Sequence, residues 1–230
     1  PGGGEHKTLV DQFAYPIGGT GCIYEKMAQR IAERGGTVRL NAPVRRVITE
    51  NHCVIGVQLE TDEIIEAQHI ISTMPLTLLA ERLPEAPPEV PLAARKLSFR
   101  NTVLVYVQVP NSDLFPDQWL YVHSPELRLG RITNFRNWHP SLTLGRPETI
   151  LCLEMWCNTP DPEWQWSDEQ WADAALQDLA ATGLLRGATP TATHVVRVPR
   201  TYPLYTRGYR ATLAPGVQGD RKSTRLNSTH

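Results

Sequence analysis

Apolar residues recur along the first part of the chain at helical spacing. Ile23, Met27 and Ile31, with Ala28 and Ala32, line up on one face of a helix. The segment FAYPIGGTG, residues 13–21, runs into that helix through a Gly-rich turn. Thr20 is placed as its N-cap and Gly35-Gly36 as its end. From residue 37 the period changes toward two. Strands are expected at 37–40, 44–49, 54–60 and 63–67, with turns at Asn51-His52 and Thr61-Asp62. The unbroken run 69–73 (HIIST) reads as a strand buried on both faces, stopped by Met74-Pro75. A short helix over 76–83 and a Pro-rich linker over 84–91 follow.

Beyond the linker, Leu97, Phe99, Asn101, Val103, Val105, Val107 and Val109 alternate with Ser98, Arg100, Thr102, Leu104, Tyr106 and Gln108. That alternation predicts a strand over 97–109, the longest of a separate antiparallel sheet, with 119–123, 129–135 and 149–157 as neighbours. Ser167 caps a helix with Gln170 in the capping-box position. Trp171, Ala175, Leu176 and Leu179 form its apolar side, and Gly183 ends it. A final strand is expected at 194–198. The fold class is α/β with α+β character, in two lobes, the second carrying a mixed or antiparallel sheet.

Composition narrows the function. Of 230 residues 41% are hydrophobic, enough for a core and too many for a disordered chain. The net charge of -1, with both signs interspersed, leaves no footprint for nucleic acid or an anionic membrane. No run of 18 apolar residues occurs, so no transmembrane helix is expected. Cys22, Cys53, Cys152 and Cys157 show no CxxC spacing and no His in ligand register. Free thiols in a reducing, cytoplasmic setting are expected, with Cys152 and Cys157 on opposite faces of one strand. Residues 1–12 read as a flexible lead-in that begins inside something longer. Residues 220–230 (DRKSTRLNSTH) resemble the translation of a sequencing-library adapter and are expected to pack against nothing.

The order of the pieces carries a resemblance. A Gly-rich loop opens a helix, GGTVRLN and VRRVI follow, then a hairpin with VIGV, then EAQHIISTMP. This series resembles the middle section of flavin amine oxidases, protoporphyrinogen oxidases and their relatives, including UDP-galactopyranose mutase-like proteins. It covers residues 10–83 well and 95–209 more loosely. The resemblance implies an FAD domain that is discontinuous in sequence. Residues 13–87 would be its middle segment, 88–199 the substrate domain and 200–219 a return toward the FAD domain. Carried over, Gly18, Gly19 and Gly21 match the loop that approaches the flavin ring. Val44 matches the strand-edge position whose backbone faces the adenine. Thr73 and Pro75 match the strand end that closes over the cofactor. Each also has a plain reading: a helix-entry turn, a half-buried strand valine and a strand stop. The family's G-x-G-x-x-G pyrophosphate cradle does not occur in this sequence. The chain alone is therefore expected to hold FAD only weakly.

No Ser-His-Asp order, HExxH or P-loop appears, which suits a protein whose cofactor does the chemistry. His69 reads as a core residue. Segment 200–209 (RTYPLYTRGY) reads as a rigid polar-aromatic turn. The resemblance brings it near the flavin, so Tyr202, Tyr205 and Tyr209 would line a substrate pocket. Arg207 would hold an anionic group bidentately. The plain alternative is an exposed aromatic loop. Arg131, Arg136 and Trp138 are further candidates. Three functions stay open: an FAD-dependent oxidoreductase taking hydride from a small organic substrate, a UDP-galactopyranose mutase-like isomerase, and a non-catalytic binding module.

Overall fold

The structure, a computed structural model, describes residues 14–51, 53–111 and 113–211. The expectations for 1–12 and 220–230 lie outside the described residues, as does the His52 half of the first hairpin turn. The chain forms two compact units. One holds the described residues up to Val38 together with Asn101–Pro199; the other holds Arg39–Arg100 and the described residues from Arg200 on.

The first unit opens with α1, Gly21–Glu33. Thr20 precedes it, but its backbone is already helical and its side chain makes no capping bond. A side-chain cap needs an extended backbone at that position, which corrects the expected N-cap. The other end follows expectation. Gly35 N–H donates to Ala32 O at 2.9 Å and Gly36 N–H to Ile31 O at 2.9 Å, with Gly35 at φ +79°. That double bond is a Schellman cap, which needs the left-handed residue glycine supplies. The apolar stripe exists but is uncovered: Ile23, Met27 and Ile31 are 46%, 55% and 43% exposed.

The body of this unit is a five-stranded sheet. Its strands are β4 (Phe99–Val109), β5 (Trp119–Tyr121), β6 (Leu129–Asn134), β7 (Thr149–Asn158) and β8 (Ala192–Pro203), in the order β5-β6-β7-β4-β8. Phe99 and Arg100 of β4 and the stretch of β8 from Arg200 fall to the second unit. β5 to β7 pair antiparallel. Val103, Val105, Val107 and Val109 are completely buried with Leu151, Leu153, Ile132 and Leu179. Full burial of such side chains contributes about 1.5–3 kcal/mol each. Helix α4, Asp168–Ala181, covers this face with Trp171, Ala175 and Leu179. Its capping box forms as the sequence predicts: Gln170 N–H donates to Ser167 Oγ and Ser167 N–H to Gln170 Oε1. Asp178 on α4 is buried and accepts the N–H groups of Arg128 and Leu129 at 2.7 and 3.0 Å. β4, at 11 residues, is not the longest strand; β8 has 12 and extends well past the 194–198 expected.

The second unit holds the antiparallel meander β1 (Val44–Glu50), β2 (Cys53–Leu59) and β3 (Ile64–Glu66), with two short helices, α2 (Leu76–Arg82) and α3 (Glu89–Ala94). Two expected strands are not there. Residues 37–40 are irregular: Asn41 turns left-handed at φ 54°, and Arg39 is held by a bidentate pair with Glu63 instead of a ladder. Residues 69–73 are also irregular, and Ile71 is 94% exposed. An apolar run becomes a strand only beside a partner, and no described strand lies next to it. His69 is accordingly exposed and not a core residue. The stretch 84–91 is no plain linker either. α3 begins within it, and Ala80, Val90 and Ala94 pack with Ala86.

Candidate functional site

The Gly-rich loop is shaped by backbone conformation. Gly18 and Gly19 sit at φ +90° and +94°, values that residues with side chains rarely adopt. Gly19 N–H closes the turn onto Pro16 O at 3.0 Å. Gly18 N–H donates to Ser141 Oγ at 3.2 Å, across 123 residues of sequence. Ser141 sits in a 3-10 turn, Pro140–Thr143, entered by His139. His139 Nδ1 accepts the Ser141 N–H at 3.2 Å and lies 2.8 Å from Ser141 Oγ. With Nδ1 an acceptor, the ring proton belongs on Nε2 and the serine hydroxyl donates to Nδ1. The hydroxyl oxygen then has a lone pair for Gly18. Tyr15 and Trp119 both pack on the Trp138 ring, the first tilted at 5.1 Å and the second stacked at 5.4 Å between centroids. A Cβ at Gly18 or Gly21 would meet no atom within 4 Å, and one at Gly19 only Leu142 Cδ2 at 3.6 Å. Glycine is required at 18 and 19 by conformation, and the main chain there is open to close approach.

The two faces of the large sheet differ in chemistry. Opposite the valine core, the other face carries Tyr106, Arg131, Thr133, Cys152 and Glu154. The β6–β7 register sets Arg131 beside Glu154 and Thr133 beside Cys152. An irregularity between Leu129 and Arg131 shifts that register, as a bulge does, and re-aims the arginine. Arg131 Nε donates to Glu154 Oε1 at 2.7 Å, and a second guanidinium nitrogen bonds the same oxygen. Glu154 is buried, while the Arg131 side chain keeps 31% of its surface. The guanidinium also lies 5.8 Å from the Tyr121 ring centre. Next to it on the same face lie the Cys152 thiol and the Tyr106 phenol. Burial first, and the Glu154 charge second, push the Cys152 thiol up to about 12. Burial likewise raises the Tyr106 phenol, with Cys152 adding to it. Both stay protonated at neutral pH, so this face offers one anchored cation, a neutral thiol and a neutral phenol, and no thiolate nucleophile. Trp156 Nε1 and Thr102 Oγ1 are buried without hydrogen-bond partners.

The remaining sequence-predicted residues lie in the second unit. Val44 begins β1, an edge strand of its sheet, and its carbonyl accepts Arg82 Nε from α2 at 2.9 Å. Thr73 and Pro75 are exposed; Pro75 O accepts the Leu78 and Leu79 N–H groups and so starts α2. Segment 200–209 is not one turn, because Arg200 to Pro203 complete β8 and place Tyr202 on a strand, 49% exposed. An edge strand tolerates the prolines that made this segment read as a turn. Leu204 N–H donates to Ser98 O at 2.9 Å. Tyr205 and Tyr209 meet edge to face, centroids 5.0 Å apart, and Arg207 is exposed in the turn between them. Of the further candidates, Arg136 is structural: Nη1 donates to the Arg146 and Glu148 carbonyls at 3.0 and 3.3 Å. Sequence reasoning missed His139, Ser141, Tyr106 and Glu154.

Known proteins share both fold and sequence. The reduced form of UDP-galactopyranose mutase superposes with a TM-score of 0.75 at 18% identity, over 91% of this chain and 45% of that one. A protoporphyrinogen oxidase-like protein from Exiguobacterium sp. 255-15 gives a TM-score of 0.69 at 19% identity, over 89% and 44%. The chain thus spans about half the length of these structures. Chloroplastic prolycopene isomerase of Daucus carota is 36% identical over 58 residues, 25% of this chain and 9% of that protein. The sequence profile of the flavin containing amine oxidoreductases matches residues 3–225. With that match across nearly its whole length, the chain belongs to the flavin containing amine oxidoreductase family.

Proposed function

We propose that this chain is part of an FAD-dependent oxidoreductase that removes a hydride from a small organic substrate. The Gly18-Gly19 loop carries this reading. Two left-handed glycines, Gly18 held by Ser141 and Gly19 by the Pro16 carbonyl, leave main chain open to the approach of a flat ring. Residues 13–87 then belong to the cofactor domain and 88–199 to the substrate domain, with 200–219 returning toward the cofactor domain. FAD, when bound, supplies the electron acceptor. Gly18, Gly19 and Gly21 would lie along its ring, Val44 at its adenine, and Thr73 with Pro75 at the strand end beside it. The Val44 carbonyl already holds Arg82 and keeps one lone pair for a second donor.

On the substrate side, Tyr202, Tyr205 and Tyr209 supply aromatic walls and Arg207 a charge for an anionic group. Arg131, oriented by Glu154, is a second such charge. The uncovered apolar stripe of α1 and the exposed Ile71 support a cofactor domain completed by further chain. The four thiols, none in a disulfide, support a protein of a reducing compartment such as the cytoplasm.

The test is the full-length parent. It is expected to be yellow, with flavin absorbance, and to reduce an electron acceptor in step with substrate oxidation. Gly19→Val should lower its flavin content, through the backbone conformation valine cannot adopt. A mutase-like isomerase would show flavin but no net acceptor reduction. That second reading needs arginines for a diphosphate; Arg136 is already committed to carbonyls, which leaves Arg131 and Arg207 for the role. A colourless parent would leave the non-catalytic binding module.

A further inference from the structure

In the second unit a recess of about 160 Å³ opens among Thr77, Glu81, Ala94, Arg95, Phe99 and Arg200. We propose that it binds a small oxyanion, a carboxylate or a phosphate, through Arg95 and the Thr77 hydroxyl. A single buried water needs only about 10–15 Å³, so the space suits a polyatomic guest. Thr77 is 6% exposed, and its hydroxyl oxygen is buried with no hydrogen-bond partner. An unpaired buried hydroxyl is costly and rare, and a guest that pairs it removes that cost. Threonine in a helix has two accessible χ1 wells, so its hydroxyl can turn toward the recess.

The charge of the walls favours an anion. Two guanidiniums, Arg95 and Arg200, line it against one carboxylate, Glu81, whose Oε1 lies 3.6 Å from Arg95 Nε, beyond hydrogen-bond distance. The planar fork of a guanidinium matches two oxygens of one carboxylate or phosphate. Arg200 forms the far wall, its guanidinium 5.7 Å over the Phe99 ring. It is held there with φ at +55°, a strained value for arginine of the kind found at ligand clamps. Anion binding at this recess requires no flavin.

The experiment titrates the 230-residue chain with sodium phosphate, sodium acetate or sodium chloride at constant ionic strength, following Tm and heat of binding. A saturable response to phosphate or acetate, absent with chloride, is expected, and which of the two responds names the guest. Thr77→Val, equal in shape, and Arg95→Gln should each weaken that response about tenfold, the loss of one hydrogen bond to a charged group. If Thr77→Val fails to fold, Arg95→Gln, a surface change, carries the test by itself. No response, equal responses to all three salts, or binding that Arg95→Gln leaves unchanged would overturn the site.

Discussion

The indole of Trp156 stands where a side chain on Gly130 would be. A Cβ at Gly130 would fall 1.8 Å from Cζ3 and 2.5 Å from Cε3 of that ring. Gly130 lies at the β6 irregularity beside Arg131, so the missing side chain serves the turn of the strand and the ring's seat together. Gly130→Ala is expected to destabilise the fold by about 1–3 kcal/mol through overpacking. Urea unfolding followed by tryptophan fluorescence checks this, with a shifted native spectrum if the indole is displaced.

Glu154 holds Arg131 on the polar sheet face. Glu154→Ala leaves a half-buried guanidinium without its carboxylate and should cost about 1–3 kcal/mol. The double variant Glu154→Leu with Arg131→Met should recover most of that loss, since it leaves no unpaired charge. A cycle of Glu154→Leu, Arg131→Met and their double variant, read by chemical denaturation, tests it. Equal losses in the single and double variants would contradict the pairing.

The Ser167 cap is local and exposed, so its effect can be isolated. Ser167→Ala should cost about 1 kcal/mol. Asp178→Ala, which strips a buried carboxylate from the Arg128 and Leu129 N–H groups, should cost more, about 2–3 kcal/mol. The midpoints of urea denaturation order the two variants, and the reverse order would refute the ranking.

Cys152 gives the fold an alkaline limit. Its thiol is pushed up to about 12 by burial, above the roughly 8.5 of an unfolded cysteine. Between those values the folded state keeps a proton that the unfolded state releases, so stability falls as pH rises. The contribution is complete below about pH 8.5 and is lost as pH approaches 12. Cys152→Ala should flatten the pH dependence of stability between pH 9 and 11. Iodoacetamide at pH 8 should modify exposed Cys53 and leave buried Cys152 intact, as peptide mass mapping would read.

What the sequence revealed divides along the range of the forces involved. β4 is legible because burial on one face imprints a two-residue period on its valines. The capping box of Ser167 and Gln170 and the glycine end of α1 are legible because their bonds span a few residues. The run 69–73 misleads because apolar character signals a surface to cover and says nothing of whether a partner strand stands beside it. β8 misleads because Pro199 and Pro203 are strand breakers in a sheet interior but not at its edge, where β8 lies. In the candidate site, Gly18 and Gly19 announce themselves by composition. Ser141 and His139 do not, since their bond to Gly18 crosses 123 residues. Arg131 and Glu154 meet only once the β6–β7 register is set.

The strand order β5-β6-β7-β4-β8 has a consequence for birth on the ribosome. β1 to β3 follow one another in sequence and can zip up through tight turns as they emerge. β4 emerges with neither neighbour made: β7 comes only after two further strands, and β8 last of all. At roughly 5–20 residues per second, Val103 to Val109 wait for seconds with their apolar face bare. A chaperone that shields hydrophobic nascent chain would therefore be recruited at β4 and released as β7 docks. Slowing translation between residues 110 and 148 would lengthen that exposure and favour aggregation.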